Sequence, residues 1–175
     1  MNTHVILLRG VMPSGRNRVP MAELRVALAA AGLEEVRTYI QSGNVIAQSP
    51  LAAAEVGRLV ETSIARNIGA EITVVVVSPT QLRETLNNNP FPVADAARTY
   101  FTFLADEPDA NLLTALLQTD FAPDEIAVIE RTLYTRYATR HSDSKFTNNY
   151  FERKLKTAAT TRNFNTLSRL VEMSA

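Results

Sequence analysis

The chain of 175 residues contains no cysteine, which removes disulfides, thiol nucleophiles and every cysteine-ligated metal site. Histidine is nearly as scarce. With only His4 and His141, a histidine-rich metal centre within one chain is not expected, and no cofactor motif stands out. Neither histidine sits in a pattern that pairs a base with a serine nucleophile. The longest early apolar run, Val5 to Leu8, is four residues, too short for a signal sequence or a membrane span, so no membrane partner and a cytoplasmic location are expected. A hydrophobic fraction of 46% with 21% charged residues is that of a folded globular chain.

Formal net charge is zero, yet its distribution is uneven. Residues 84–130 hold nine acids against one base, Arg98, while residues 131–169 hold nine bases against two acids, Asp143 and Glu152. The basic last quarter either meets an anionic partner such as nucleic acid, or pairs with the acidic stretch and solvent.

Periodicity gives the order of elements. HVILLR reads as a buried strand ending at Gly10, and residues 10–20, with two Gly and two Pro, read as a loop. Pro20 opens a helix whose apolar positions are Met21, Leu24, Leu28 and Ala31, stopped by Gly32. Val36–Ile40 and Asn44–Gln48 flank QSG as a hairpin, and residues 51–68 form an amphipathic helix. ITVVVV at 72–77 is a strand, followed by a helix that Ser78 caps and Pro79 begins.

This β, α, β, β, α, β order is that of a ferredoxin-like unit. Residues 99–105, 110–118 and 125–138 begin the cycle again as a strand, a helix and two strands, followed by helices near 144–156 and 163–173. The expected fold is therefore α/β (α+β), with two ferredoxin-like halves of mainly antiparallel sheet. The boundaries expected are 1–88 and 97–175, joined by a linker at about 89–96 where NNNPFPVADA clusters Asn and Pro.

Strands one and two of such a unit point the same way, so loop 10–20 and turn 41–43 should meet at one rim. Gly10 and Gly15 have the spacing of a P-loop, but Arg16 and Asn17 follow where Lys and a hydroxyl residue are needed, and the helix starts too late. What survives is an anion site formed by Arg9, Ser14, Gly15, Arg16, Asn17, Arg18, Gln41, Ser42, Gly43 and Asn44, or else a solvated surface loop. A second cluster, Thr160, Thr161, Arg162 and Asn163, stands between the last two predicted helices. Either a threonine caps the final helix, or Arg162 and the helix amides form an anion pocket with Lys145. The aromatics Phe146, Tyr150 and Phe151 have the spacing of a helix's buried face.

The segments LLRGVMPSGRNRVPMAELR, VRTYIQSGNVI, SKFTNN and TTRNFNTLSRLVEM together resemble the domain of unknown function 1697 family of small bacterial proteins. The resemblance covers nearly the whole chain and implies an α/β fold with ferredoxin-like halves, with no activity attached. Its pattern falls on Arg9, Gly10, Gly15, Asn17, Tyr39, Gln41, Ser42, Gly43, Asn44, Ser144, Lys145, Thr161, Arg162 and Asn163. Two departures stand out: Val11-Met12-Pro13 replaces Ile-Asn-Val, and Phe164 replaces Trp, which keeps volume and loses the indole donor.

The expected function is binding of an anionic ligand (a nucleotide, phosphorylated metabolite or nucleic acid) at the rim. The alternatives are an enzyme acting on a phosphorylated or carboxylated small molecule in a cleft, and a homo-oligomeric interaction protein without catalysis.

Overall fold

A computed structural model describes residues 1–175. The chain divides into two compact units, Met1–Arg83 with Arg169–Ala175, and Glu84–Ser168.

The first unit runs β1 (Asn2–Leu8), α1 (Met21–Ala30), β2 (Glu34–Tyr39), β3 (Asn44–Ser49), α2 (Ala53–Asn67) and β4 (Val74–Val77), and ends within α3 (Pro79–Asn87). Its strands lie in the order β2-β3-β1-β4, all neighbours antiparallel, as the βαββαβ pattern requires. Alternation along the strands decides the faces. Ile6, Leu8, Val45, Ala47 and Val74 pack with Leu24 and Leu28 of α1 and Val56, Val60 and Ile64 of α2. Val5, Leu7, Ile46, Val75 and Val77, on the other face, are buried as well. The helix α1 stops where Gly32 turns to φ +99° and Leu33 N–H donates to the Leu28 carbonyl. Gly57 sits 3.7 Å from Val74 and Val76 measured from where its Cβ would be, which lets α2 lie close to the sheet.

The second unit repeats the topology with β5 (Thr99–Leu104), α4 (Ala110–Leu117), β6 (Glu125–Ile129), β7 (Thr132–Arg136), α5 (Asn148–Leu155) and β8 (Ala159–Asn163), in the order β6-β7-β5-β8. Its helix-side core joins Leu104, Leu133 and Ala159 to Leu116, Phe146, Phe151 and Leu155. Phe146 and Phe151 are core, with Tyr150 packed at its edge. The chain ends in α6 (Phe164–Ser174).

One element differs from the sequence reading. Thr160–Asn163 is not the gap between two helices but most of β8, the fourth strand, paired with β5 from Tyr100↔Asn163 to Leu104↔Ala159. No apolar alternation marks it, because its inward groups are satisfied by hydrogen bonds. The Thr102 and Thr161 hydroxyls meet at 2.8 Å, and Thr161 also donates to Asn148 Oδ1 of α5. Nor does a threonine cap α6: Asn163 Oδ1 accepts the Thr166 N–H at 2.9 Å. The fifth helix is also shorter than expected, since Ser144–Thr147 forms a turn in which Ser144 Oγ accepts the Phe146 N–H.

Candidate functional site

The ends of β1 and β3 define the rim. Register pairs Leu7 with Asn44, and one step on, Leu8 N–H donates to the Gly43 carbonyl at 2.8 Å. Loop 10–20 and turn 40–43 are neighbours. Their approach is close enough to demand glycine: a Cβ on Gly43 would lie 2.6 Å from Leu8 Cβ and 2.9 Å from Val11 Cγ2, and its φ is +87°. The loop is closed on itself by Met12 N–H to the Asn17 carbonyl (2.9 Å) and Arg18 N–H to the Gly15 carbonyl (3.3 Å), with Gly10 at φ +67° and Gly15 at φ +81°. It is a hydrogen-bonded hook.

The side chains on it sort into two groups. Ser14, Gly15, Arg16, Arg18, Gln41 and Ser42 are exposed, and Asn17 is half-buried. No carboxylate pairs with Arg16 or Arg18, so both guanidiniums present their donor forks to solvent. Asn44, in contrast, is fully buried. Its Nδ2 donates to the Tyr39 carbonyl and Ser42 Oγ, both at 3.1 Å, which ties the two strands of the hairpin across the turn. Arg9 is half-buried and engaged within the protein, while its N–H donates to the Thr73 carbonyl. Arg9, Gly43 and Asn44 therefore hold the rim's shape, and Arg16 and Arg18 supply its free charge. Met12 and Ile40, 54% and 50% exposed on the same loop and turn, add apolar surface.

Lys145, Thr161, Arg162 and Asn163 belong to the second unit. Lys145 is exposed, with Nζ 5.2 Å from the Phe146 ring centre. Arg162 lies on the sheet face opposite the helices, donating from Nη1 to Thr160 Oγ1 at 2.6 Å and to the Thr161 carbonyl at 3.0 Å. Burial pulls its guanidinium pKa down to about 10. Strand placement and capping by Asn163 correct the expectation of an open pocket built from Arg162 and the amides of α6.

The charge asymmetry is partly settled by pairing inside the second unit. Arg136 bridges Asp95, at 2.8 Å, and Glu125, and Arg98 reaches the other Asp95 oxygen. The Arg136 hydrogen bond holds the Asp95 carboxyl below the usual carboxylate range. Arg140 pairs with Asp143. Elsewhere, Arg153 and Lys154 flank the Tyr150 ring at 5.5 and 5.6 Å.

Nowhere do three or more His, Asp or Glu side chains converge to hold a metal ion, and no helix is long and apolar enough to cross a membrane. Sequence reasoning passed over Met12 and Ile40, whose exposure beside the arginines follows only from the geometry of loop and turn.

With this geometry in place, the family model for the protein of unknown function DUF1697 matches residues 1–134, well over half of the chain. The chain belongs to the DUF1697 family. A solved structure, that of the conserved bacterial protein SP0830 from Streptococcus pneumoniae, is similar to it at 25% identity with a TM-score of 0.78, covering 99% of this chain and 98% of that one. No curated protein matches. The likeness spans both units, so the tandem ferredoxin-like architecture is shared across the DUF1697 chain and its structural neighbour.

Proposed function

We propose that this DUF1697 protein binds a phosphate-bearing ligand at the rim of the first unit, through Arg16, Arg18 and the open backbone of loop 10–18, with Gln41 and Ser42 as further polar groups. The observation that carries the reading is the pair of exposed arginines without acidic partners, mounted on a loop that its own hydrogen bonds and glycines hold in shape. A guanidinium fork matches two phosphate oxygens, and a preformed loop loses little conformational freedom on binding. Met12 and Ile40 beside the arginines favour a nucleotide or single-stranded nucleic acid over a bare phosphate, since they offer apolar contact to a sugar or base. The rim supports binding more than catalysis, because its exposed groups are guanidiniums, amides and hydroxyls, with no carboxylate set beside the arginines. A bacterial, cytoplasmic setting goes with this reading, and the structural neighbour is itself a bacterial protein.

The experiment is a binding panel of nucleotides, phosphorylated sugars and a labelled single-stranded oligonucleotide at low salt, with the chain and its Arg16→Ala/Arg18→Ala variant. Binding by the chain and its loss in the variant are expected. Absence of binding to every member at low salt, or equal binding by the variant, overturns the proposal.

A further inference from the structure

The two four-stranded sheets end in β2 and β4 in the first unit and in β6 and β8 in the second. An edge strand presents a row of backbone N–H and C=O groups that is either shielded or open to another chain. Three of these edges are blunted. A bulge between Glu34 and Arg37 interrupts β2, with Glu35 at φ +48°. β4 is only 4 residues long, and Glu61 Oε1 accepts its Val74 N–H at 3.0 Å. On β8, α5 reaches over the margin: Glu152 Oε2 accepts the Ala159 N–H at 3.0 Å and Asn148 Nδ2 donates to the Ala159 carbonyl at 2.9 Å.

β6 has no such device. On β7 the odd residues turn their backbone toward β5, as Leu104 N–H donates to the Arg131 carbonyl and Tyr137 N–H to the Arg98 carbonyl on that side. Thr132, Tyr134 and Arg136 therefore bond to Ile129, Ala127 and Glu125, and the backbone groups of Ile126 and Val128 face outward. Nothing in the protein pairs with them. The strand EIAVI keeps unbroken register with β7, has no proline, and carries charge only at Glu125, its first position. Apolar surface continues from it. Ile126 and Val128 stand with Leu112, Leu113 and Phe121 as partly buried groups at the margin of the helix-side core. α4, ANLLTALL, has no charged residue; of its leucines only Leu116 is fully buried, and Leu117 is 49% exposed.

We infer that the β6 edge is a self-association surface, on which a second copy of this chain adds its own β6 antiparallel and joins the two second-unit sheets into one. The spacing of the open groups fits a copy. A two-fold axis at Ala127 sets Ile126 of each copy opposite Val128 of the other, and each such pairing exchanges both of its N–H···O=C bonds, so every outward group of Ile126 and Val128 finds a partner. Ala127 then meets Ala127 at the close, non-hydrogen-bonded position, where Cα atoms stand about 4.5 Å apart and a methyl side chain fits. On the helix side Ile126 and Val128 become cross-strand neighbours, so each copy's apolar margin extends the other's. An unrelated extended peptide would supply the backbone bonds but no second apolar margin. The contact is isologous and closes at two copies, because the far edge of the joined sheet is the shielded β8. It uses no residue of the arginine rim and stands apart from the ligand reading.

The test is sedimentation equilibrium of the full chain from about 5 to about 500 µM, with amide hydrogen exchange followed at both ends of the range. The mass should rise from 19.3 kDa toward twice that value. The Ile126 and Val128 amides should gain protection of about tenfold or more with concentration, while Ala127 and Ile129, bonded to β7, stay protected throughout. Val128→Pro removes an outward donor that β7 does not use, at an edge position that accepts proline. By symmetry the dimer loses both mirrored bonds, and association should weaken about tenfold or more, with unchanged Ala127 protection showing that the variant is folded. A constant 19.3 kDa across the range, growth beyond two copies, a dimer whose Ile126 and Val128 amides still exchange freely, or undiminished association of folded Val128→Pro overturns the inference.

Discussion

Replacing Gly43 by alanine separates two costs that the structure makes distinct. At φ +87° any L-residue carries strain of about 1–2 kcal/mol, and Gly15, at φ +81°, carries the same cost with nothing within 4 Å of its would-be Cβ. Gly43 adds a collision. Its Cβ would stand 2.6 Å from Leu8 Cβ, a backbone-anchored atom that cannot rotate away, and 2.9 Å from Val11 Cγ2. Overpacking of this kind costs a further 1–3 kcal/mol or so. Gly43→Ala should therefore destabilise the first unit by about 2–5 kcal/mol, against about 1–2 kcal/mol for Gly15→Ala. Urea unfolding followed by circular dichroism gives the totals, and amide exchange of Leu8, whose N–H donates to Gly43, localises the damage to the rim. Equal destabilisation by the two variants, or unchanged Leu8 protection in Gly43→Ala, would refute the close approach of loop and turn.

Other outcomes follow from the second unit. Tyr137 is 1% exposed and donates its hydroxyl to the Phe146 carbonyl at 2.6 Å, so Tyr137→Phe leaves that carbonyl unpaired and should lower the unfolding free energy by about 1–3 kcal/mol in urea titration; an unchanged midpoint contradicts the bond. His141 stacks on Tyr100 at 4.8 Å, and burial holds its pKa below the ordinary 6.5. The unfolded chain therefore binds a proton that the folded one resists, so stability should decline as pH falls below about 6.5, and His141→Gln should flatten that slope. A slope identical in the variant would locate the pH dependence elsewhere.

The first unit was almost wholly legible because its signals are local. Buried strands read as apolar runs, QSG marks the hairpin, and Ser78-Pro79 announces α3. The second unit was legible up to β7 and then failed at β8, for a physical reason: the strand ATTRN buries Thr160 and Arg162 by hydrogen bonding, and only its pairing with β5 reveals it. The candidate rim was legible as a place, since strand direction alone brings loop 10–20 to turn 41–43. The roles within it were not. Asn44 and Arg9 looked like donors to a ligand, while the fold turns Asn44 inward to hold the hairpin and half-buries Arg9; Arg16 and Arg18 remain outward. The open edge of β6 escaped notice because sheet order decides which strand lies outermost, and no local pattern gives it.

The central claim, that Arg16 and Arg18 contact phosphates, is tested most directly by the salt dependence of oligonucleotide binding. Both side chains are exposed, so neither alanine variant should disturb the fold. For single strands the slope of log K against log salt is about −0.7 per phosphate neutralised, so each single variant should make it less steep by about 0.7 and the double variant by about 1.4. Slopes that stay the same in Arg16→Ala and Arg18→Ala would contradict the account, because the arginines would then touch no phosphate.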